Sequence, residues 1–89
     1  MFERETAARL RLLAEPGLEQ ARAIREVHSL KGASASVCAT LLSGRAAALE
    51  ARLKRGEPLG DADVTPLTEA FDAWSAAMHT TEALSLIHI

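Results

Sequence analysis

Apolar residues return at every third or fourth position in four separate stretches of this chain, a period that commits it to helices. Phe2, Thr6, Leu10 and Leu13 share one face of a segment over residues 2–15. Pro16-Gly17 ends it, because proline lacks a donor and glycine relieves the turn. A second segment runs from residue 18 to the mid-thirties, with an inward stripe of Ile24, Val27, Leu30, Ser34, Val37 and Leu41. A third, over residues 39–55, carries Leu42, Ala46, Leu49 and Leu53 on one side. Gly56 is its expected stop, and Lys54 and Arg55 suit the negative end of the helix dipole. Glu57-Pro58-Leu59-Gly60-Asp61 reads as a loop. The last helix is expected to begin at Asp63 or Thr65, either of which can cap it, with Pro66 in the first turn and a core stripe of Leu67, Phe71, Trp74 and Met78.

Composition agrees with the period. Eighteen Ala and 13 Leu stand against three Val, three Ile and no Tyr, so strand formers are scarce and a β-sandwich or barrel is excluded. Four amphipathic segments on short connections predict an all-α, antiparallel up-down four-helix bundle. Residues 1–80 should form that single bundle. Residues 81–89 form an apolar tail, with Leu84, Leu86, Ile87 and Ile89, that either packs on the bundle or is of cloning origin. A chain of 89 residues buries only about 60–65% of its unfolded surface, which leaves one modest core and no deep cleft.

Charge and cysteine content narrow the function. Ten Lys and Arg against twelve Asp and Glu give a net charge of −2, without the basic excess of a nucleic-acid module. A single Cys excludes an intramolecular disulfide framework, and no Cys/His spacing suits a metal. The first five residues, Met-Phe-Glu-Arg-Glu, lack the apolar run of a signal peptide, and no stretch approaches the ~20 apolar residues of a membrane span. The expected compartment is the cytoplasm. No partnership with nucleic acid or membrane is expected, and a monomer is expected rather than a dimer.

The chemistry sits in Ile24-Arg25-Glu26-Val27-His28-Ser29-Leu30-Lys31-Gly32-Ala33-Ser34-Ala35. On a helix whose Ile24, Val27 and Leu30 point inward, Arg25, His28, Lys31 and Gly32 share the outward face. An exposed imidazole is a usable nucleophile near neutral pH. Phosphorylated on a ring nitrogen, it would gain up to two negative charges, which Lys31 and Arg25 could offset from one turn away. A mid-helix glycine costs about 1 kcal/mol relative to alanine, and close approach of another surface to the histidine is a reason to keep one. No acid, base or metal ligand is arranged around His28 for hydrolysis, which suits a passive carrier. Ser29 is a further candidate for phosphate or partner contact.

The run His28-Ser29-Leu30-Lys31-Gly32 resembles the HxLKG signature of histidine phosphotransfer (HPt) domains, including the amino-terminal phosphotransfer domain of chemotaxis histidine kinases. The resemblance extends over residues 2–78. Phe2, Glu5, Leu10 and Leu13 are similar to the family's preceding helix, Leu41 and Leu49-Glu50 to its following helix, and Phe71 to an aromatic of the last. It implies a four-helix bundle in which His28 accepts phosphate from a receiver-domain aspartate or a histidine kinase and passes it on. Lys31 would steady the phosphoryl group, and Gly32 would make room for the partner. The expected nucleophilic nitrogen is Nε2. The chain would need no cofactor of its own, with Mg²⁺ supplied by the partner receiver. It would be no autonomous kinase, since 89 residues hold no glycine-rich ATP site, although it could be a domain of a larger one.

Two positions depart from the family. Cys38 stands where a glycine is common ten residues after the histidine, which would widen helix packing there; the thiol itself is expected to be a small buried filler. The connection from Leu13 to His28 is also short, which trims the bundle. His79 and His88 have no partner pattern. A competing reading is a phosphorylation-independent helical adaptor that binds a receiver or kinase without taking phosphate, against which the intact His28 and Lys31 stand.

Overall fold

The computed structural model describes the backbone of residues 2–87 and the side chains of residues 2–79. Four helices follow one another: α1 (Phe2–Leu13), α2 (Gln20–Ser36), α3 (Thr40–Lys54) and α4 (Asp61–Ile87). α1 packs on α2 and α4, and α3 packs on the same two, so the helices form a closed ring of neighbours. Cross-links fix their directions. Gln20, in the first turn of α2, donates its side-chain amide to the carbonyls of Leu53 and Glu57 at the end of α3 (3.1 and 2.9 Å). At the start of α1, Glu3 accepts from Ser75 Oγ (2.7 Å) and pairs with His79 Nε2 (3.1 Å) far along α4. Both pairs of helices therefore run antiparallel. At 27 residues, α4 is about 40 Å long against about 26 Å for α2. The helix backbone is continuous into the segment after residue 80, and the packing expected of side chains 81–89 lies outside the described residues, as does His88.

The core is built from the periodic stripes. Thr6, Leu10 and Leu13 of α1, Val27, Leu30 and Ser34 of α2, all four stripe residues of α3 (Leu42, Ala46, Leu49 and Leu53) and Leu67 of α4 are buried. Ala23, Ala39, Val64 and Ala70 join them. Ile24 and Val37 are half-buried. Phe2 sits edge-on to Trp74 and Phe71, at 5.0 and 6.3 Å between ring centroids, and these three aromatics close the α1–α4 seam.

Four expectations are corrected. Leu41 is 55% exposed because α2 ends at Ser36, so the stripe extrapolated across a break. Met78 is 49% exposed, one turn beyond Trp74, where α4 still packs on the core. The start of α4 is Asp61, earlier than expected. Asp63 does serve the helix start, but from its third position, where Oδ2 accepts the Gly60 N–H at 2.8 Å. That contact, joined by the Arg52 guanidinium at 2.8 Å, holds the Asp63 carboxyl below its ordinary range. Pro66 consequently falls in the second turn.

The fourth correction is Cys38, which is exposed and not a buried filler. Its φ of +59° places it in the left-handed region. Cys38 N–H donates to the Ala35 carbonyl (3.2 Å) and Ala39 N–H to that of Ser34 (2.9 Å), the pattern that closes a helix through a left-handed residue. Gly56 closes α3 with the same pattern at φ +90°. The expected widening of helix packing at Cys38 gives way to a matter of backbone conformation: the residue takes the left-handed place that Gly56 takes after α3.

Candidate functional site

α2 and α3 meet along the seam that carries the site. Val27 and Leu30 are fully buried in the core, which turns the intervening His28 outward, and its side chain is 64% exposed. On α3, the buried Leu49 and Leu53 bracket Glu50 at the edge of the apolar face. The Glu50 side chain is only 5% exposed, yet both its oxygens are satisfied. Oε2 lies 2.7 Å from His28 Nδ1, and Oε1 accepts from Lys31 Nζ at 2.7 Å. Lys54, one turn further along α3, brings Nζ to 3.3 Å from Oε2. Ser43 Oγ donates to the Lys31 carbonyl at 3.2 Å and pins the two helices together one turn from the site.

These contacts decide the electrostatics. Lys31 first, then His28 and Lys54, hold the Glu50 carboxyl down at about 2, from an ordinary value of 4.5, against the opposing cost of its burial. An ionised carboxylate can only accept, so His28 Nδ1 is the donor in this pair. In the neutral ring the single proton therefore sits on Nδ1 and the lone pair on Nε2. Nε2 makes no hydrogen bond among the described residues. The arrangement presents a nucleophilic nitrogen to solvent, with its tautomer chosen from behind.

The structure brings His28 and Lys31 together through Glu50. It leaves Arg25 and Ser29 outside that cluster; both are exposed, without an ion pair or side-chain hydrogen bond among the described residues. Gly32 is exposed, and a Cβ there would meet nothing within 4 Å. Its absence is not demanded by packing inside the chain. A groove of about 330 Å³ lies away from this seam, between α1 and α4, lined by Leu10, Arg11, Val64 and Phe71 among others. His79 has a partner, Glu3, but that pair joins helix ends on the α1–α4 side.

Glu50 and Lys54 were not expected as site residues. The available signal was a charged residue wedged between stripe positions, since Glu50 follows Leu49 and sits four after Ala46 and three before Leu53. A carboxylate there must be partly buried and must find a cation. Lys54 then follows at the i, i+4 spacing in the favourable Glu-to-Lys order.

No curated protein and no solved structure matches the chain. The family model of the Hpt domain matches residues 1–83. Because that match spans nearly the whole chain and the helices form the four-helix bundle of that family, the chain belongs to the Hpt domain family, the histidine phosphotransfer domains of two-component phosphorelays.

Proposed function

We propose that His28 is the phosphoacceptor and that transfer occurs at Nε2, from an aspartyl phosphate of a receiver domain or from a histidine kinase, and onward to a second receiver. The observation that carries this is the 2.7 Å contact between His28 Nδ1 and a buried, ionised Glu50. In the step from a receiver, the Nε2 lone pair attacks phosphorus in line, the bond from phosphorus to the aspartyl oxygen breaks, and aspartate leaves as its carboxylate. The imidazole keeps the Nδ1 proton and becomes cationic as the N–P bond forms. Glu50 already faces that nitrogen, so the interaction strengthens as charge develops on the ring, which is where stabilisation lowers a barrier. No proton has to move. The reverse step returns the phosphoryl group to another aspartate with the same balance.

Lys31 stands one turn from His28, where it can meet the phosphoryl oxygens. Gly32, where a Cβ would meet nothing within 4 Å, leaves the approach open for a partner domain. That partner brings the aspartate and Mg²⁺, and this chain contributes a nucleophile and positive charge without a cofactor or kinase activity of its own. Among the described residues no helix is long and apolar enough to cross a membrane. The proposed setting is a cytoplasmic monomer that meets its partners transiently.

Incubating the protein with a receiver carrying labelled aspartyl phosphate tests this. Acid-labile label should appear on the protein and be abolished by His28→Gln. Binding of the receiver with no transfer would instead make the chain an adaptor, and full labelling of the His28→Gln protein would move the site elsewhere.

A further inference from the structure

Lys54 has no part in the transfer just described, although it touches the centre of the site. Its Nζ lies 3.3 Å from Glu50 Oε2, the oxygen that also faces His28 Nδ1, while Lys31 holds Oε1 at 2.7 Å. Three donors thus crowd two oxygens of one buried carboxylate. A buried carboxylate stripped of a partner is costly, so a cation engaged with it is not free to leave unless another takes its place. Lys31 is in that position. It is three residues from His28 on the same helix, one turn from a phosphoryl group on Nε2, yet it is committed to Glu50. Lys54 reaches the carboxylate from α3, makes no hydrogen bond to His28, and keeps its side chain 59% exposed.

We propose that Lys54 is the standby counter-ion of Glu50. When the phosphoryl group occupies Nε2, Lys31 leaves Oε1 for the phosphoryl oxygens, and Lys54, together with the now cationic imidazole, keeps the carboxylate neutralised. Lys54 is a positioning residue that acts through Lys31. The exchange rests on His28 being the phosphoacceptor. It involves no bond making of its own and only redistributes ion pairs: two lysines and one carboxylate before transfer, the same three plus an imidazolium and a phosphoryl dianion after it.

Phosphoramidate, a small phosphodonor that phosphorylates imidazoles without a partner protein, tests the exchange on the full chain. The rate of His28 labelling is followed by phosphorus NMR for wild type, Lys54→Met, Lys54→Arg, Lys31→Met and the Lys31→Met/Lys54→Met double variant, with thermal unfolding of each unlabelled protein alongside. Lys54→Met should slow labelling about two- to fivefold, the scale of a partly exposed ion pair. Lys54→Arg should restore it, and Lys54→Met should add nothing once Lys31 is gone. A Lys54→Met rate equal to wild type, an undiminished effect in the Lys31→Met background, or a loss that merely follows reduced thermal stability would overturn the proposal. Failure of wild type to take label at His28 from either phosphoramidate or a phosphorylated receiver would remove the phosphoacceptor and the exchange together. Labelling by phosphoramidate without transfer from a receiver would remove the relay alone, and the Lys54 effect would still be read.

Discussion

Replacing Glu50 with Gln keeps the side chain's shape and removes the charge that three donors share. Stability should fall by about 1–2 kcal/mol, less than for most broken buried pairs because both lysines remain in contact with water. The loss should depend on pH. The Glu50 carboxyl titrates at about 2 in the folded protein and near 4.5 when unfolded, so its contribution is complete above about 4.5 and vanishes as pH falls through about 2. Denaturant midpoints from about pH 6 down to about pH 2 should therefore converge for wild type and Glu50→Gln at the acid end and separate at the neutral end. Transfer to His28 should slow as well, since a neutral amide no longer strengthens its hold on the ring as the ring becomes cationic. Gly32→Ala should act in the opposite sense on stability, adding about 1 kcal/mol, because the added methyl meets nothing in the isolated chain. Comparing that variant's thermal midpoint with its transfer rate separates what the glycine costs the fold from what it gives a partner. At this scale the shared outward face of His28, Lys31 and Gly32 was readable from sequence because its geometry is settled inside one helix. Glu50, 22 positions away, reaches His28 only through the packing of α2 on α3, and no spacing within a segment announces that contact.

Helix ends explain most of what the elements did differently from expectation. Stripes on continuous helices were legible: Val27, Leu30 and Ser34, or Leu42, Ala46, Leu49 and Leu53, are where their period put them. Leu41 failed because no Gly or Pro marks the break after Ser36, where Cys38 adopts the left-handed conformation in a glycine's stead. A side chain in that conformation costs about 1–2 kcal/mol. Cys38→Gly should recover about 1 kcal/mol of it, net of the entropy glycine adds to the unfolded chain, and raise the thermal midpoint. The test is sharp because Cys38 is exposed, so no lost packing competes with the backbone effect. Leu30→Ala, by contrast, removes a fully buried side chain next to the site and should cost about 2–5 kcal/mol by denaturant unfolding.

For the whole molecule, a small core and an open site belong to one design. Buried residues from all four helices make the core, and His28, Lys31, Glu50 and Lys54 stand together on the seam between α2 and α3. Among the described residues, the titratable groups bonded within the His28 cluster are Glu50, Lys31 and Lys54. Such a post can present a nucleophile to a partner that encloses it, and can take the same part in either direction of transfer. The claim on which the rest depends is that the phosphoryl group sits on His28 Nε2 while Nδ1 keeps its proton against Glu50. Nitrogen and phosphorus NMR of the phosphorylated, nitrogen-15-labelled protein reads both at once. A phosphorus coupling to Nε2 of His28, with a protonated Nδ1 still bonded to the carboxylate, is the predicted result; coupling to Nδ1, or to any other histidine, would contradict it.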